Sequence, residues 1–133
     1  MIVLDEQLLG RHLELEIRHW YRGAVRFIIE LRPHTVIRDE VIPVLLRQQN
    51  QPTFVTINEK DFWRKIAIDG HYGVVCFAWP DSRVRDIPHE LRTLFRHPEC
   101  KTKAKRMGKV IRVGDQEISY YTYSNREVQR LLG

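Results

Sequence analysis

A chain of 133 residues that is 43% hydrophobic and 29% charged is expected to form one soluble domain with a core of ordinary size. It has no apolar run of about 18 residues, which excludes a hydropathic membrane helix. The opening MIVLDEQLLG lacks the basic lead and apolar stretch of a secretory signal. Net charge is +5, and the two cysteines, Cys76 and Cys100, fit neither a zinc pattern nor a disulfide scaffold, so a reducing, cytoplasmic setting is expected.

In chain order, Ile2, Val3 and Leu4 read as a short buried strand that ends at Asp5. Leu8, Leu9, Leu13, Ile17, Trp20 and Tyr21 recur at helical spacing, which predicts a helix over 7–22, ended by Gly23. AVRFIIEL (24–31) reads as a second strand. Asp39 then resembles an N-cap opening EVIPVLLRQQ, a helix whose Pro43 is tolerated near the first turn. TFVTI is a third strand, KDFWRKIAI a third helix, YGVVCFAW a fourth strand and IPHELRTLF (87–95) a fourth helix. A basic loop from Lys101 to Arg106 follows. KVIRVGDQEISYYTY turns at Gly114-Asp115 and reads as a hairpin. SNREVQRLLG is predicted to close the chain as a short helix, with Ser124 and Glu127 at capping-box spacing.

Alternating strands and helices predict an α/β domain with a mainly parallel sheet and right-handed crossovers. Ligands in such sheets bind beyond the carboxyl ends of the strands. There the acids gather: Asp5 and Glu6 after strand 1, Asp39 and Glu40 after strand 2, Glu59 and Asp61 after strand 3. One pair alone reads as helix capping and dipole compensation. Three pairs at one sheet edge repel unless a cation neutralises them. An oxygen-rich set of this kind suits Mg²⁺ or Mn²⁺ rather than zinc.

Charge is uneven along the chain. Between Arg83 and Arg112 there are ten Lys or Arg and three acids, a local +7 against −2 elsewhere, which favours a polyanionic partner. Lys101, Lys103, Lys105 and Arg106 are its densest part and the candidate RNA contacts. A carboxylate-held divalent ion beside such a surface suits phosphodiester hydrolysis.

IVLDEQL, RDEVIPVLLRQQ and FVTINEKDFW together resemble the PIN-like domain family, in particular the VapC-like toxins of toxin–antitoxin systems, over roughly residues 1–80. The resemblance implies a three-layer fold with a parallel sheet of order 3-2-1-4, here carrying a C-terminal hairpin extension. It makes residues 1–133 a single domain, with a core to about 85 and a basic segment from about 86 carrying the hairpin and short helix. It also implies Mg²⁺ or Mn²⁺, single-stranded RNA as substrate and a cognate antitoxin protein as partner; a homodimer is another partner it allows. Carried onto this chain, Asp5 is the central metal ligand, Asp39 (with Glu40 as its alternate) the acid of helix 2, and Asp61 the third ligand. Glu6 is a water-positioning group.

The chain departs from the family's Thr-x-Asp-x-Asp-Phe stretch. The positions two and four residues beyond Thr56 hold Asn58 and Lys60, so Glu59 joins the metal set only if one residue is inserted. That departure motivates a second reading, a catalytically weak PIN-like module binding RNA or a partner protein. A receiver-type regulator is disfavoured, because no Asp ends strand 3 and no Lys clearly ends the last strand. Arg11 and His12 are read as an exposed helix face, Trp20, Phe62 and Trp63 as core, and Trp79 as a candidate for base stacking at the acidic edge.

Overall fold

A computed structural model describes residues 1–132. Seven strands form one sheet: β1 (Ile2–Leu4), β2 (Val25–Phe27), β3 (Thr53–Thr56), β4 (Gly73–Phe77), β5 (Lys109–Val113), β6 (Ile118–Thr122) and β7 (Gln129–Arg130). Their order is β2-β1-β3-β4-β5-β6-β7. The first five are parallel, and β6 and β7 are antiparallel additions. The α/β class, the mainly parallel sheet and the hairpin at Gly114-Asp115 agree with expectation. The order 3-2-1-4 does not: β1 lies between β2 and β3.

Alternation along the strands splits the core in two. Ile2, Leu4, Val25, Phe27, Val55, Val75, Phe77, Ile111 and Val113 face α1 (Leu13–Trp20) and α5 (Ile87–Arg96). Val3, Phe54, Val74, Cys76 and Val110 face α3 (Ile42–Arg47) and the region of α4 (Glu59–Phe62) through Ile42, Leu45, Leu46, Phe62 and Ile66. Strands buried on both faces account for the near-continuous apolar runs.

Placing α1 and α5 on one face has a topological consequence. The β1–α1–β2 and β4–α5–β5 crossovers lie on the same face but move in opposite directions across the sheet, so they have opposite hands. The β2–α3–β3 and β3–α4–β4 crossovers, on the other face and running opposite to β1–α1–β2, share the hand of that crossover. The expectation of uniform handedness therefore fails at β4–α5–β5. There a six-residue 3₁₀ stretch, Asp81–Asp86, intervenes before the helix. The strand twist that normally fixes the hand does not feed straight into α5.

Other departures have local causes. The predicted 7–22 helix is interrupted: Glu6–Leu8 is a single 3₁₀ turn, and α1 starts only at Leu13. Gly10 (φ 77°) and His12 (φ 61°) take left-handed backbone, which a helix cannot continue through. The second strand stops at Phe27, and α2 (Ile28–Leu31) takes the rest of its apolar run. The basic stretch contains α6 (Lys103–Arg106), capped by Thr102, rather than being all loop. The predicted C-terminal helix is instead β7, paired with β6 through Tyr120↔Gln129 and Ser119↔Arg130.

Candidate functional site

In a sheet of order 2-1-3-4-5 the chain leaves β1 and β3 toward opposite faces, and a crevice opens between their carboxyl ends. Asp5 follows β1 there, and Thr56 ends β3 beside it. The register runs Leu4↔Val55, Thr56↔Cys76 and Cys76↔Arg112. Asp5, Thr56, Cys76 and Arg112 thus form one cross-strand row at the carboxyl edge, on the α3/α4 face.

Asp5 is 7% exposed, the only acid among the buried polar residues. Thr56 Oγ donates to Asp5 Oδ2 (2.6 Å) and accepts from the Asn58 amide (3.0 Å). Burial pushes the Asp5 carboxyl above its usual range. The Thr56 bond pulls it down, and the nearby Asp39 and Glu6 carboxylates push it up again. Asp39, in the exposed 3₁₀ turn before α3, is also raised, by burial and then by Asp61 and Glu40. Asp39 thus feels the charge of Asp61 and Glu40, and Asp5 feels that of Asp39. Asp39, Glu40, Asp61 and Lys65 line an open cavity of about 310 Å³ between α3 and α4.

The stretch after β3 divides its residues. Asn58 caps α4, accepting from the Asp61 amide (3.4 Å) while its Nδ2 donates to Asp61 Oδ2 (2.7 Å). Glu59 turns the other way and pairs with Arg112 Nε. Of the carboxylates predicted for the site, Asp39 and Asp61 line the open cavity, Asp5 is buried in the cross-strand row beside Thr56, Glu59 is committed to Arg112, and Glu6 is exposed in the 3₁₀ turn leading toward α1. Among the described residues, no three His, Cys, Asp or Glu side chains converge closely enough to hold an ion as arranged. Ligation by all three aspartates requires Asp39 and Asp61, both exposed, to swing toward the buried Asp5.

The basic cluster lies elsewhere. Lys101, Lys103, Lys105 and Arg106 precede β5, at the amino end of a strand whose carboxyl end carries Arg112. Five residues of strand separate the two ends by roughly 17 Å. Lys105 Nζ binds the Pro98 carbonyl (2.8 Å), and Arg106 is buried, so neither is a free phosphate contact on an open loop. Arg11 is paired with Asp81 (2.7 Å). Trp79 is buried, donates to the Gly114 carbonyl (3.3 Å) and is covered by Arg83 at 4.0 Å, which leaves it no open face for a base at the acidic edge. Phe62 is core as expected, whereas Trp20 and Trp63 are only partly buried.

Sequence reasoning missed Thr56 and Arg112 as site residues. Thr56 had a usable signal, since it is the last strand residue before the acids. Arg112 had none, because its place opposite Glu59 follows from β5 joining the sheet beside β4.

No protein-family model, curated protein or solved structure matches the chain.

Proposed function

We propose that the chain is a metal-dependent endoribonuclease of PIN-like type acting on single-stranded RNA, used as the toxin of a toxin–antitoxin pair. The observation that supports this reading is Asp5: a carboxylate at the strand switch point, oriented by Thr56 and raised in pKa chiefly by its burial, with the Asp39 and Glu6 carboxylates adding smaller pushes in the same direction. Hard oxygen donors that destabilise one another fit a divalent cation. Asp5, Asp39 and Asp61 would hold Mg²⁺ or Mn²⁺. When bound, such an ion offsets charge building on a phosphate and lowers the pKa of a water.

The chain's own residues do the rest. Thr56 holds one Asp5 oxygen and so fixes the carboxylate plane. Asn58 steers Asp61 by a bond to its Oδ2. Arg112 neutralises Glu59 at the rim, which keeps that carboxylate from repelling a phosphodiester. The apolar wall behind the row, with Cys76 fully buried, excludes water from that side.

A second reading is favoured by two observations: Glu59 is occupied by Arg112, and among the described residues no three acids converge. It is a PIN-like module that binds RNA or a partner protein with little catalysis. Incubating the protein with single-stranded RNA and Mn²⁺ separates the two. Cleavage by the wild type and its loss in Asp5→Asn support the enzyme. Absence of cleavage in both, with RNA retained in a binding assay, supports the module.

A further inference from the structure

At the end of the sheet away from the acids, the last turns of α1 and α5 flank an open cavity of about 300 Å³ lined by Trp20, Tyr21, Phe95 and the cations Arg92, Arg96, Lys101 and Arg106. No acid contributes to its wall. Among the described residues none of these four cations is ion-paired to a carboxylate, although eight such pairs form elsewhere.

Arg106 is the key member. It is 6% exposed, its guanidinium lies 4.0 Å over the Phe95 ring, and it donates to the Cys100 carbonyl (2.9 Å). Its Nε is buried with no hydrogen-bond partner, as is Trp20 Nε1 in the same wall. A buried guanidinium without a counter-charge is costly, and a buried donor without an acceptor adds to that cost. An anion in the cavity offsets the uncompensated guanidinium charge. The aromatic half of the wall calls for a planar group on the same ligand: Trp20, Tyr21 and Phe95 meet edge to face, with centroids 5.8–6.1 Å apart, and all three are only partly buried. Aromatic side chains of this kind stack on any base, because every base has a π-face. The cavity volume is at the lower end of small-ligand sites, roughly 300–1,000 Å³.

We propose that this cavity binds a phosphate monoester carrying a planar ring, the chemistry of a 5′-mononucleotide or of the 5′-phosphorylated end of a strand. Arg92, Arg96 and Lys101 meet the phosphate at the mouth, Arg106 supplies the buried charge from its place over Phe95, and the ring lies on the partly exposed Trp20 and Tyr21. The site is independent of the acidic crevice and of whatever reaction occurs there.

Calorimetric titration of the full chain tests this with five probes: 5′-AMP, adenosine, inorganic phosphate, and a short DNA strand with either a 5′-phosphate or a 5′-hydroxyl. Binding of AMP or of the 5′-phosphorylated strand is expected, with adenosine, phosphate and the 5′-hydroxyl strand at least about tenfold weaker, a difference of roughly 1.4 kcal/mol. AMP alone assigns the site to free nucleotides, and the phosphorylated strand alone assigns it to strand ends. Joint replacement Arg92→Gln and Arg96→Gln, at two exposed positions, is expected to weaken binding about tenfold or more, and Asp5→Asn to leave it unchanged. The proposal is overturned if neither phosphorylated probe binds. It is equally overturned if the 5′-hydroxyl strand binds as well as the phosphorylated one, or if the double variant binds like wild type.

Discussion

Replacing Thr56 with valine removes one hydroxyl from the centre of the site and almost no volume. Thr56 is fully buried, so the change leaves neither a cavity nor new exposed surface. Two hydrogen bonds go: the one donated to Asp5 (2.6 Å) and the one accepted from the Asn58 amide (3.0 Å). A bond to a charged group is worth about 1.5–3 kcal/mol and a neutral one about 0.5–1.5 kcal/mol. Against these stands the hydroxyl desolvation that valine avoids, about 1 kcal/mol on the lower protein-based scale. A net loss of about 1–3 kcal/mol at pH 7 follows.

The pH dependence carries the sharper test. Asp5 has a folded-state pKa above its unfolded value, so its ionisation destabilises the fold as pH rises through the folded pKa. Thr56 reduces that penalty by binding the ionised form. The cost of Thr56→Val should therefore be larger at pH 7 than well below the ordinary Asp range, near pH 2.5, where Asp5 is almost fully protonated in both states. Urea unfolding of both proteins at the two pH values measures this. A loss that is the same at both pH values would refute the claim that Thr56 holds the Asp5 charge.

Other perturbations are equally specific. By the same linkage, Asp5→Asn removes an ionisation penalty, so the substitution should be more favourable to stability at pH 7 than near pH 2.5, as urea midpoints would show. Burial pushes both thiols above their ordinary range, Cys76 by a wide margin, so Cys76 and Cys100 should resist a thiol reagent in the native protein at pH 8 and react at once in denaturant; a stopped-flow trace distinguishes the two. Gly73→Ala places a Cβ against the backbone carbonyl oxygen of Arg106, which no side-chain rotation relieves, and should cost about 1–3 kcal/mol in thermal or urea unfolding. Leu91→Ala, at the buried face of α5, should cost about 2–5 kcal/mol by the same measurement.

Residue pattern revealed the strands and the acidic edge because both depend on local rules: two-sided burial writes apolar runs, and carboxylates cluster where strands hand over to helices. It failed where a distant partner decides. The 7–22 helix has the right apolar spacing, but the chain turns through left-handed Gly10 and His12 before α1 begins. QR at 129–130 becomes a strand only because β6 offers an open edge. Lys101 to Arg106 read as one basic cluster, yet Arg106 points inward onto Phe95 while Lys103 stays outside. Glu59 and Asp61 look equivalent in FVTINEKDFWRK, and the structure separates them: Arg112 takes one, and Asn58 holds the other at the crevice rim. Neither Arg112 nor the strand order that brings it there has a signature in the local sequence.

The central claim is that Asp5, Asp39 and Asp61 together form one cation site at the strand switch point. Titration of Mn²⁺ by paramagnetic resonance, with free ion read directly, tests it on wild type and four single variants. The account predicts one class of bound Mn²⁺ that Asp5→Asn abolishes, that Asp39→Asn and Asp61→Asn each weaken by about tenfold or more, and that Glu59→Gln leaves in place. Wild-type protein that binds no Mn²⁺, or binding that survives Asp5→Asn and is lost with Glu59→Gln, would contradict it.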